Sequence, residues 1–586
     1  MAPTIDSSST TPSSNPKSTR EQIAHSGYDN EGTAMTTEKR QALNLNGLGP
    51  VAVETLDKQK RRAMRLLRSK QSMLEKYIFL AQLRTTNIRL FYRIVMDELP
   101  EIAPIIYTPT VGTACMEYSN IYPYLAAPGV PDGLFLTDDS FDNLVATIKN
   151  YQPVAGEDFQ PDIAVITDGS RILGLGDLGV NGIGIPIGKL QLYVAGAGID
   201  PRKTLPIVLD LGTNNDKFRQ DEFYLGLRQP RPADDQFYPV VDKVLSALHT
   251  VYPQMVIQFE DWSSEHAFGL LEKYQNKIVC FNDDIQGTGA VILSGIINAI
   301  RKVEKDDGVS PKDHRVVFYG AGSAGIGVAH QIQEYFQIEL GLSEDEAKRL
   351  FWIVDSKGLV TLDRGDKLAK HKVYYARDDN HGQQTKELLD ILDYVKPTML
   401  IGLSSQPGAF NAQILRRMGE LNKSPVVFPL SNPATQAECS FEQAMINTDN
   451  RVIFASGTAF PNFKIPGTNE VKVPGQGNNM YIFPGVGLGS RVARPTSISG
   501  GMIYASAVAL ADSLTADELA QGWLYPSLTR IREVSAIVAT AVVEKAIEEG
   551  IAQAAEVKGK SHDELLAAVN EHMWSPESDT FGVSHI

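Results

Sequence analysis

The sequence predicts an α/β protein in which helices cover parallel β-sheets and helical segments flank both ends. Short runs rich in β-branched residues alternate with helical segments, and runs this apolar are typical of strands buried on both faces. The chain has 586 residues, enough for three to four domains of about 150 residues each. Its 43% hydrophobic and 21% charged residues are close to globular averages, which excludes a collagen-like, fully disordered or coiled-coil protein.

Charge and cysteine content exclude several functional classes. The chain carries 70 acidic and 55 basic residues, a net charge of -15, the wrong sign for binding nucleic acid or an anionic membrane through bulk charge. Cys115, Cys280 and Cys439 are too few and too widely spaced for a disulfide framework or a zinc site. No apolar run reaches the roughly 18 residues of a transmembrane helix. We therefore expect a soluble protein without nucleic-acid or membrane partners.

The N-terminal part of the chain combines a polar tail with a helical unit. Residues 1–40 are rich in Ser, Thr and Pro, so we predict that they are disordered. They lack the apolar core of a signal peptide and the Arg-rich start of a transit peptide, which favours the cytoplasm, with the mitochondrial matrix as the alternative. Residues 41–136 contain long stretches with apolar residues at three- and four-residue spacing, which predicts a helical unit.

The strand-like runs fall into two groups, which predicts two α/β domains. The first group precedes a long helical stretch that starts near residue 287, and the second group follows it. Helical patterns return near the C-terminus. The predicted domains are a first α/β domain over 137–283, completed by about 478–550, a second over 284–477, and a helical tail over 551–586.

Acidic side chains follow several of the predicted strands. Glu260 and Asp261 follow one run, and Asp283 and Asp284 follow the next. The carboxyl ends of parallel strands meet at one edge of a sheet, and clustered carboxylates repel one another unless a cation lies among them. Carboxylate oxygens suit Mg²⁺ or Mn²⁺, and no His/Cys cluster offers a zinc site. A solvated turn is the usual role of one acidic pair, but two pairs favour a metal site.

A glycine-rich loop predicts a Rossmann-type nucleotide-binding domain over 284–477. Gly320, Gly322 and Gly325, with Ser323 and Ala324 between them, stand between a strand-like run and a helical one, as a pyrophosphate-binding loop requires. Asp355 ends the next strand-like run, where a ribose-binding acid belongs, 30 residues after Gly325. We predict an extra short helix between them. A second match to the pattern, 174–179, precedes a Gly- and Pro-rich stretch that we do not expect to open a helix.

Two further residues stand out by their surroundings. Lys189 lies in an apolar helical stretch. We place it in the first turn, where burial and the helix dipole would lower its pKa and allow a neutral lysine to act as a base. A snorkelling surface lysine is the alternative. Tyr107 joins an apolar run to a Thr-Pro turn, the position of a packing tyrosine.

These motifs together resemble those of the malic enzymes, the eukaryotic-type NAD(P)-dependent malate decarboxylating dehydrogenases. The matching strings occur in order over roughly residues 55–550 and include PIIYTPTVG, QFEDW, FNDDIQGTGAV, GAGSAGIG and LSNPATQAEC. The resemblance implies oxidative decarboxylation of (S)-malate to pyruvate and CO₂, with reduction of NAD(P)⁺ and a bound Mg²⁺ or Mn²⁺. It also implies a homotetramer built as a dimer of dimers.

The resemblance assigns roles to single residues. Lys189 would be the general base, Tyr107 the general acid, and Asp283 would hold Lys189 in position. The metal ligands would be Glu260, Asp261 and Asp284. The residues that would line the malate and nicotinamide site are Arg171, Asn432, Asn478 and Asn479.

Coenzyme preference rests on the residues that follow the second strand of the nucleotide-binding unit. Asp355 alone favours NAD, because a carboxylate repels a 2′-phosphate. Ser356 and Lys357 follow it directly, as in NADP-preferring members of the family, so we expect NADP, with NAD possible. The alternatives to an NADP-dependent malic enzyme are a malolactic-type enzyme and a catalytically silent nucleotide-binding protein.

Overall fold

The structure, a computed structural model, describes residues 27–125, 132–137, 141–151, 159–365, 367–368 and 370–577. The α-helices are α1 (Thr37–Ala42), α2 (Leu56–Arg68), α3 (Met73–Thr86), α4 (Ile88–Asp97), α5 (Leu99–Ile106), α6 (Thr110–Met116), α7 (Tyr118–Ile121), α8 (Leu144–Lys149), α9 (Gly184–Ala197), α10 (Asp216–Gln220), α11 (Asp234–Val251), α12 (Ser264–Tyr274), α13 (Thr288–Asp307), α14 (Ser323–Leu340), α15 (Glu344–Lys348), α16 (Lys370–Val373), α17 (Leu388–Val395), α18 (Ala412–Leu421), α19 (Phe441–Asn447), α20 (Phe483–Ala493), α21 (Gly500–Asp512), α22 (Ala516–Ala520), α23 (Ile531–Glu548) and α24 (His562–Glu571). The strands are β1 (Leu134–Leu136), β2 (Ile163–Thr167), β3 (Thr204–Leu209), β4 (Val256–Phe259), β5 (Cys280–Asn282), β6 (Val316–Tyr319), β7 (Phe351–Asp355), β8 (Gly358–Leu359), β9 (Met399–Gly402), β10 (Val426–Pro429), β11 (Ile453–Ser456), β12 (Phe463–Lys464), β13 (Val471–Lys472) and β14 (Gly475–Gln476). Among the described helices, none is long and apolar enough to cross a membrane.

The structure differs from the disorder predicted over residues 1–40. Residues 1–26 lie outside the described residues, but residues 27–40 contain a 3₁₀ turn and the start of α1. Thr36 caps α1 by accepting a hydrogen bond from the Lys39 amide, 3.2 Å away. The Tyr28 side chain is fully buried and accepts a hydrogen bond from Trp574 Nε1, 3.0 Å away. One buried aromatic residue anchors a stretch whose average composition is polar.

The first sheet has five strands in the order β1-β3-β2-β4-β5, all parallel. β2 is buried throughout, as the apolar run predicts, whereas the three-residue β1 is too short to show in the sequence pattern. All residues of α9, which packs on this sheet, are buried. The Gly- and Pro-rich stretch forms a 3₁₀ segment, Gly179–Ile183, and then opens α9 at Gly184. The expectation that it could not open a helix is wrong, because a proline fits in the first turn, where its missing N–H would be unpaired anyway.

The second sheet is doubly wound, in the order β14-β11-β10-β9-β6-β7-β8. Its pairs are parallel except β7 with β8. Strand order reverses between β6 and β9, the switch point at which open sheets of this type bind ligands. The extra helix predicted before Asp355 is α15. The predicted fold class, α/β with parallel sheets, a Rossmann-type unit and helical segments, is confirmed.

The two sheets are joined through a π-helical turn, Asp283–Gly287, which follows β5 and leads into α13. Near the C-terminus α20 returns to the first sheet, where the Phe483 ring lies 4.9 Å from the ring of Tyr193 on α9. A Cβ atom at Gly487 would lie 2.4 Å from the Tyr193 ring and 2.7 Å from Ile163 of β2. Only glycine therefore allows α20 to approach this closely, and the approach positions the residues that precede α20 beside the carboxyl ends of β4 and β5.

Candidate active site

A buried lysine lies among carboxylates at the carboxyl edge of the first sheet. Lys189 Nζ is 2.5 Å from Asp283 Oδ2 and 3.0 Å from Glu260 Oε1. The side chains of Lys189 and Glu260 are each 2% exposed, and that of Asp283 is 0% exposed. The alternative of a snorkelling surface lysine is therefore wrong.

Strand pairing brings the two acidic pairs together. Phe259, the last residue of β4, pairs in register with Asn282, the last residue of β5, so the residues that follow leave the sheet side by side. The Asp261 amide donates to Asp284 Oδ2 at 2.8 Å. Asp261 has a φ of 55°, a left-handed conformation that non-glycine residues adopt at some cost and that is concentrated at functional sites. The convergence of the acidic pairs predicted from the strand ends is observed.

The charge state of Lys189 differs from the sequence expectation. Lys189 is the sixth residue of α9, which begins at Gly184, so it lies beyond the first turn. Burial alone would lower the pKa of its ammonium, but the charges of Asp283 and Glu260 outweigh burial and raise the pKa well above its usual value. The expected lowering is wrong because it took account of burial but not of Glu260 and Asp283, which follow β4 and β5 and lie far from Lys189 in sequence.

Three carboxylates form a group suited to a divalent cation. One oxygen from each of Glu260, Asp261 and Asp284 lies within 4.8 Å of the other two. Burial and mutual repulsion raise the pKa of all three carboxyls above their usual values. Asp261 Oδ2 is buried and has no hydrogen-bond partner among the described residues. An all-oxygen donor set with an unpaired buried oxygen fits Mg²⁺ or Mn²⁺.

Asp283 Oδ2 is held by both Lys189 and Asn479. Asn479 Nδ2 donates to Asp283 Oδ2 at 2.9 Å and to Thr288 Oγ1 at 3.0 Å. A Cβ atom at Gly287 would lie 2.0 Å from Asp283 Oδ1, so glycine is required where the π-helical turn passes the carboxylate. Asn478 caps the short 3₁₀ helix that carries Asn479 by accepting from the Met480 amide at 3.0 Å. The segment that precedes α20 therefore fixes the partner of Lys189.

Tyr107 and Arg171 flank the buried group. Tyr107 follows α5 and is 8% exposed, and Lys189 Nζ lies 5.4 Å from the centre of its ring. Burial raises the pKa of the Tyr107 phenol well above its usual value. The Arg171 amide donates to the Asp261 carbonyl at 3.3 Å, and its guanidinium donates to Ser264 Oγ. Tyr107 thus lies beside Lys189, and Arg171 lies beside Asp261.

Asn432 lies on the loop that follows β10 of the second sheet, and the residue is exposed. This loop contacts the one that follows Arg171, since a Cβ at Gly174 would lie 2.9 Å from Pro433 Cδ. Asn432 is thus close in space to the Arg171 loop but outside the buried cluster of Lys189.

The glycine-rich loop follows β6 at the switch point of the second sheet. Gly320 has a φ of 123°, and a Cβ there would lie 2.3 Å from the Leu403 carbonyl oxygen. A Cβ at Gly325 would lie 2.5 Å from the Gly320 carbonyl oxygen. Gly322 precedes α14, which begins at Ser323 and includes Ala324 and Gly325. The loop thus presents backbone amides at a helix N-terminus, the arrangement that binds a pyrophosphate.

Asp355 ends β7 and is paired with two cations. Arg364 donates to both carboxylate oxygens at 2.8 and 2.9 Å, and Lys372 Nζ donates at 2.8 Å. Partial burial would raise the pKa of the Asp355 carboxyl, but these bonds lower it to about 2. Ser356 and Lys357 follow, and the Lys357 amide donates to Asp355 Oδ1 at 2.9 Å. The acid expected to repel a 2′-phosphate is neutralised.

Three further residues support the predicted site but were not predicted from the sequence. Arg364 binds Asp355, and its position nine residues further along the chain gave no periodic signal. Gln258 contacts Glu260, and Tyr193 contacts Gln258. The i, i+2 spacing of Gln258 and Glu260 on one strand face was the available signal.

Family models match most of the chain. The model described as the malic enzyme N-terminal domain matches residues 84–275, and the one described as the malic enzyme NAD binding domain matches residues 285–547.

Individual proteins agree with these matches. The NADP-dependent malic enzyme of Dictyostelium discoideum is 47% identical over 550 residues, covering 94% of this chain and 97% of the relative. The mitochondrial NAD-dependent malic enzyme 1 of Arabidopsis thaliana is 38% identical over 583 residues, covering 95% and 91%. The solved malic enzyme of Entamoeba histolytica is similar in fold, with a TM-score of 0.52 at 20% identity and 90% coverage of both chains. The resemblance inferred from the motifs is confirmed: the chain belongs to the malic enzyme family.

Proposed function

We propose that the protein oxidises and decarboxylates (S)-malate to pyruvate and CO₂, with NADP⁺ as the preferred hydride acceptor. The observation that carries the proposal is the buried contact of Lys189 with Asp283 and Glu260, next to an oxygen-ligand group and the Tyr107 ring. Malate and metal would bind to the domain over 137–283 completed by 478–550. The coenzyme would bind to the domain over 284–477.

Glu260, Asp261 and Asp284 would hold Mg²⁺ or Mn²⁺ through their carboxylate oxygens. When bound, the ion would supply positive charge that polarises the substrate hydroxyl and stabilises the charge that develops on its oxygen. With the charge of Glu260 offset by the bound ion, Asp283 is the remaining anion in direct contact with the Lys189 ammonium. Release of the Lys189 proton then becomes easier, as a base requires.

Lys189 and Tyr107 would divide the proton transfers between two substrate atoms. Lys189 takes the proton from the C2 hydroxyl as hydride leaves C2, while Asp283 and Asn479 keep its amino group in position. Tyr107 keeps its proton because burial raises its pKa, so it can deliver that proton to C3 after CO₂ departs. Arg171 binds a substrate carboxylate, and the substrate and nicotinamide are lined by Asn432, Asn478 and Asn479.

The activity is tested by following NADPH absorbance in purified protein with (S)-malate, NADP⁺ and Mn²⁺. We expect NADPH and pyruvate to appear in equal amounts. Lactate formed without net NADPH would replace the proposal with a malolactic-type enzyme. NADP⁺ binding without malate turnover would replace it with a silent nucleotide-binding protein.

The surroundings of Asp355 support the preference for NADP⁺. The Asp355 carboxylate, which alone would favour NAD, forms ion pairs with Arg364 and Lys372. Lys357 is close to it in the chain. A 2′-phosphate bound beside Asp355 would therefore meet these cations and not an unpaired carboxylate.

Lys372→Ala is expected to lower kcat/KM for NADP⁺ by about 10- to 100-fold, the contribution of one charge-assisted hydrogen bond, with a smaller change for NAD⁺. The measurement is the NADP⁺/NAD⁺ ratio of kcat/KM at saturating malate and Mn²⁺. Lys302→Ala is the matched control, because it breaks a surface Lys–Asp pair of similar length, 2.7 Å, on α13. A wild-type ratio that favours NAD⁺, or an unchanged ratio in Lys372→Ala, would contradict the assignment.

A further inference from the structure

A hydrogen-bonded chain of buried polar groups lies behind Glu260. The Tyr193 hydroxyl donates to Gln258 Oε1 at 2.5 Å, and Gln258 Nε2 donates to Glu260 Oε2 at 2.7 Å. Tyr193 and Gln258 are 0% exposed and Glu260 is 2% exposed. A buried polar network of this kind is favourable only when every member is satisfied, so its members are tightly constrained.

The direction of each hydrogen bond in this chain follows from the ionised state in which Glu260 would bind a cation. An ionised carboxylate only accepts, so the amide nitrogen of Gln258 faces Glu260. The amide oxygen of Gln258 then faces Tyr193, whose hydroxyl must donate. Oε2 of Glu260 is thereby committed to Gln258, and Oε1 is the oxygen that lies 3.0 Å from Lys189 Nζ.

The supporting groups stand on the same rigid elements as the groups they support. Gln258 lies on β4 and Glu260 directly follows the strand, and their two-residue spacing places them on one face. Tyr193 lies one helical turn after Lys189 on α9. Strand and helix are therefore connected twice, once through Lys189 and Glu260 and once through Tyr193 and Gln258. The second connection fixes the rotation of the Glu260 carboxylate.

We propose that Gln258, itself oriented by Tyr193, is a positioning residue that holds Glu260 in the orientation required to bind the divalent cation. The inference rests on the proposed metal site. Without the Gln258 amide, Glu260 Oε2 has no partner in a buried position, and the carboxylate is free to turn toward Lys189 with either oxygen. Partners that orient metal ligands in this way typically contribute 10- to 100-fold to metal affinity.

The test is Mn²⁺ binding to the full-length protein without malate or coenzyme, measured from the electron paramagnetic resonance signal of free Mn²⁺. Gln258→Met, which keeps the length of the side chain but removes the amide, should raise the Kd for Mn²⁺ by about 10- to 100-fold. Activity should require correspondingly more Mn²⁺, while kcat at saturating Mn²⁺ falls much less. NADP⁺ affinity should not change.

Gln333→Met is the matched control. Gln333 is 3% exposed, accepts from the Tyr375 hydroxyl at 2.6 Å and donates to the Tyr374 hydroxyl at 2.8 Å. It is a buried tyrosine-bound glutamine like Gln258, but it does not contact Glu260. Its substitution should leave the Kd for Mn²⁺ at the wild-type value.

Two further outcomes complete the test. If Gln258→Met does not fold, the double variant Tyr193→Phe/Gln258→Met removes the donor and the acceptor together and should show the same rise in Kd. A wild-type Kd in either folded variant would overturn the role of Gln258 and leave the proposed function intact. Absence of Mn²⁺ binding by the wild-type protein would overturn the metal site and the positioning role together.

Discussion

Replacing Lys189 by alanine is expected to lower kcat for malate oxidation by about 10²- to 10⁴-fold, the usual contribution of a general base. Lys189 is a fully buried cation that lies beside both Tyr107 and the oxygen-ligand group. Removing it takes away the amine that, once its ammonium has released a proton, would accept the hydroxyl proton. The rate is measured from NADPH formation at saturating malate, NADP⁺ and Mn²⁺.

A second variant separates this role from that of a structural counter-charge. Lys189→Ala leaves Asp283 and Glu260 without their buried cation, which costs about 3–5 kcal/mol of stability. Lys189→Arg keeps the positive charge but does not release a proton near neutral pH, so it should be folded and equally inactive. Lys273→Ala, which breaks a surface pair with Asp242 at 2.7 Å, is the control and should keep activity. Wild-type turnover by folded Lys189→Arg would remove Lys189 from the role of base.

The positions of the acidic residues could be predicted because strand geometry is local. A buried parallel strand is visible as an apolar run, and its carboxyl end is where the run stops. Glu260, Asp261, Asp283 and Asp284 therefore had to meet once β4 and β5 were neighbours. For the same reason, the glycine-rich loop could be predicted to follow the carboxyl end of β6.

The electrostatics of the site could not be predicted, because they depend on contacts between distant parts of the chain. Burial of Lys189 was visible in its apolar helix, but Asp283 is 94 residues away in sequence, and its charge reverses the expected pKa shift. Asp355 is a similar case, because its two cations come from residues that follow it without any periodic pattern.

Contacts made by single residues were also invisible to composition. Residues 27–40 are polar on average, yet Tyr28 is buried against Trp574, 546 residues further along the chain. Gln258 lies in an apolar run in which it looks like an exception to the strand pattern. Its function becomes clear only when Tyr193 and Glu260 are seen on either side of it.

Neutralising one of the proposed metal ligands is expected to abolish Mn²⁺ binding and to lower malate oxidation by about 10³-fold or more, since metal catalysis of this kind contributes several kcal/mol. Asp284→Asn is the most informative change. Asp284 Oδ2 accepts the Asp261 amide at 2.8 Å, and an asparagine carbonyl oxygen can accept the same bond. The fold is kept while one negative charge is lost.

Stability without metal distinguishes this loss from unfolding. Burial and mutual repulsion raise the pKa of the three carboxyls in the metal-free protein, so their ionisation costs stability as the pH rises above the ordinary carboxyl range. Asp284→Asn removes one of these charges. The metal-free variant should therefore melt at the same temperature as the metal-free wild type or above it, although it is inactive.

The pH dependence of Mn²⁺ binding follows from the same shifts. Protons compete with the metal for carboxyls whose pKa is raised, so the affinity of the wild-type protein for Mn²⁺ should fall as the pH is lowered, and binding should release protons. Calorimetry in buffers with different ionisation enthalpies measures that release. Chelation should abolish turnover, and added Mn²⁺ should restore it in the wild type but not in Asp284→Asn. Full activity after chelation would contradict the need for a cation. Mn²⁺ binding by Asp284→Asn with wild-type affinity would place the cation at other residues.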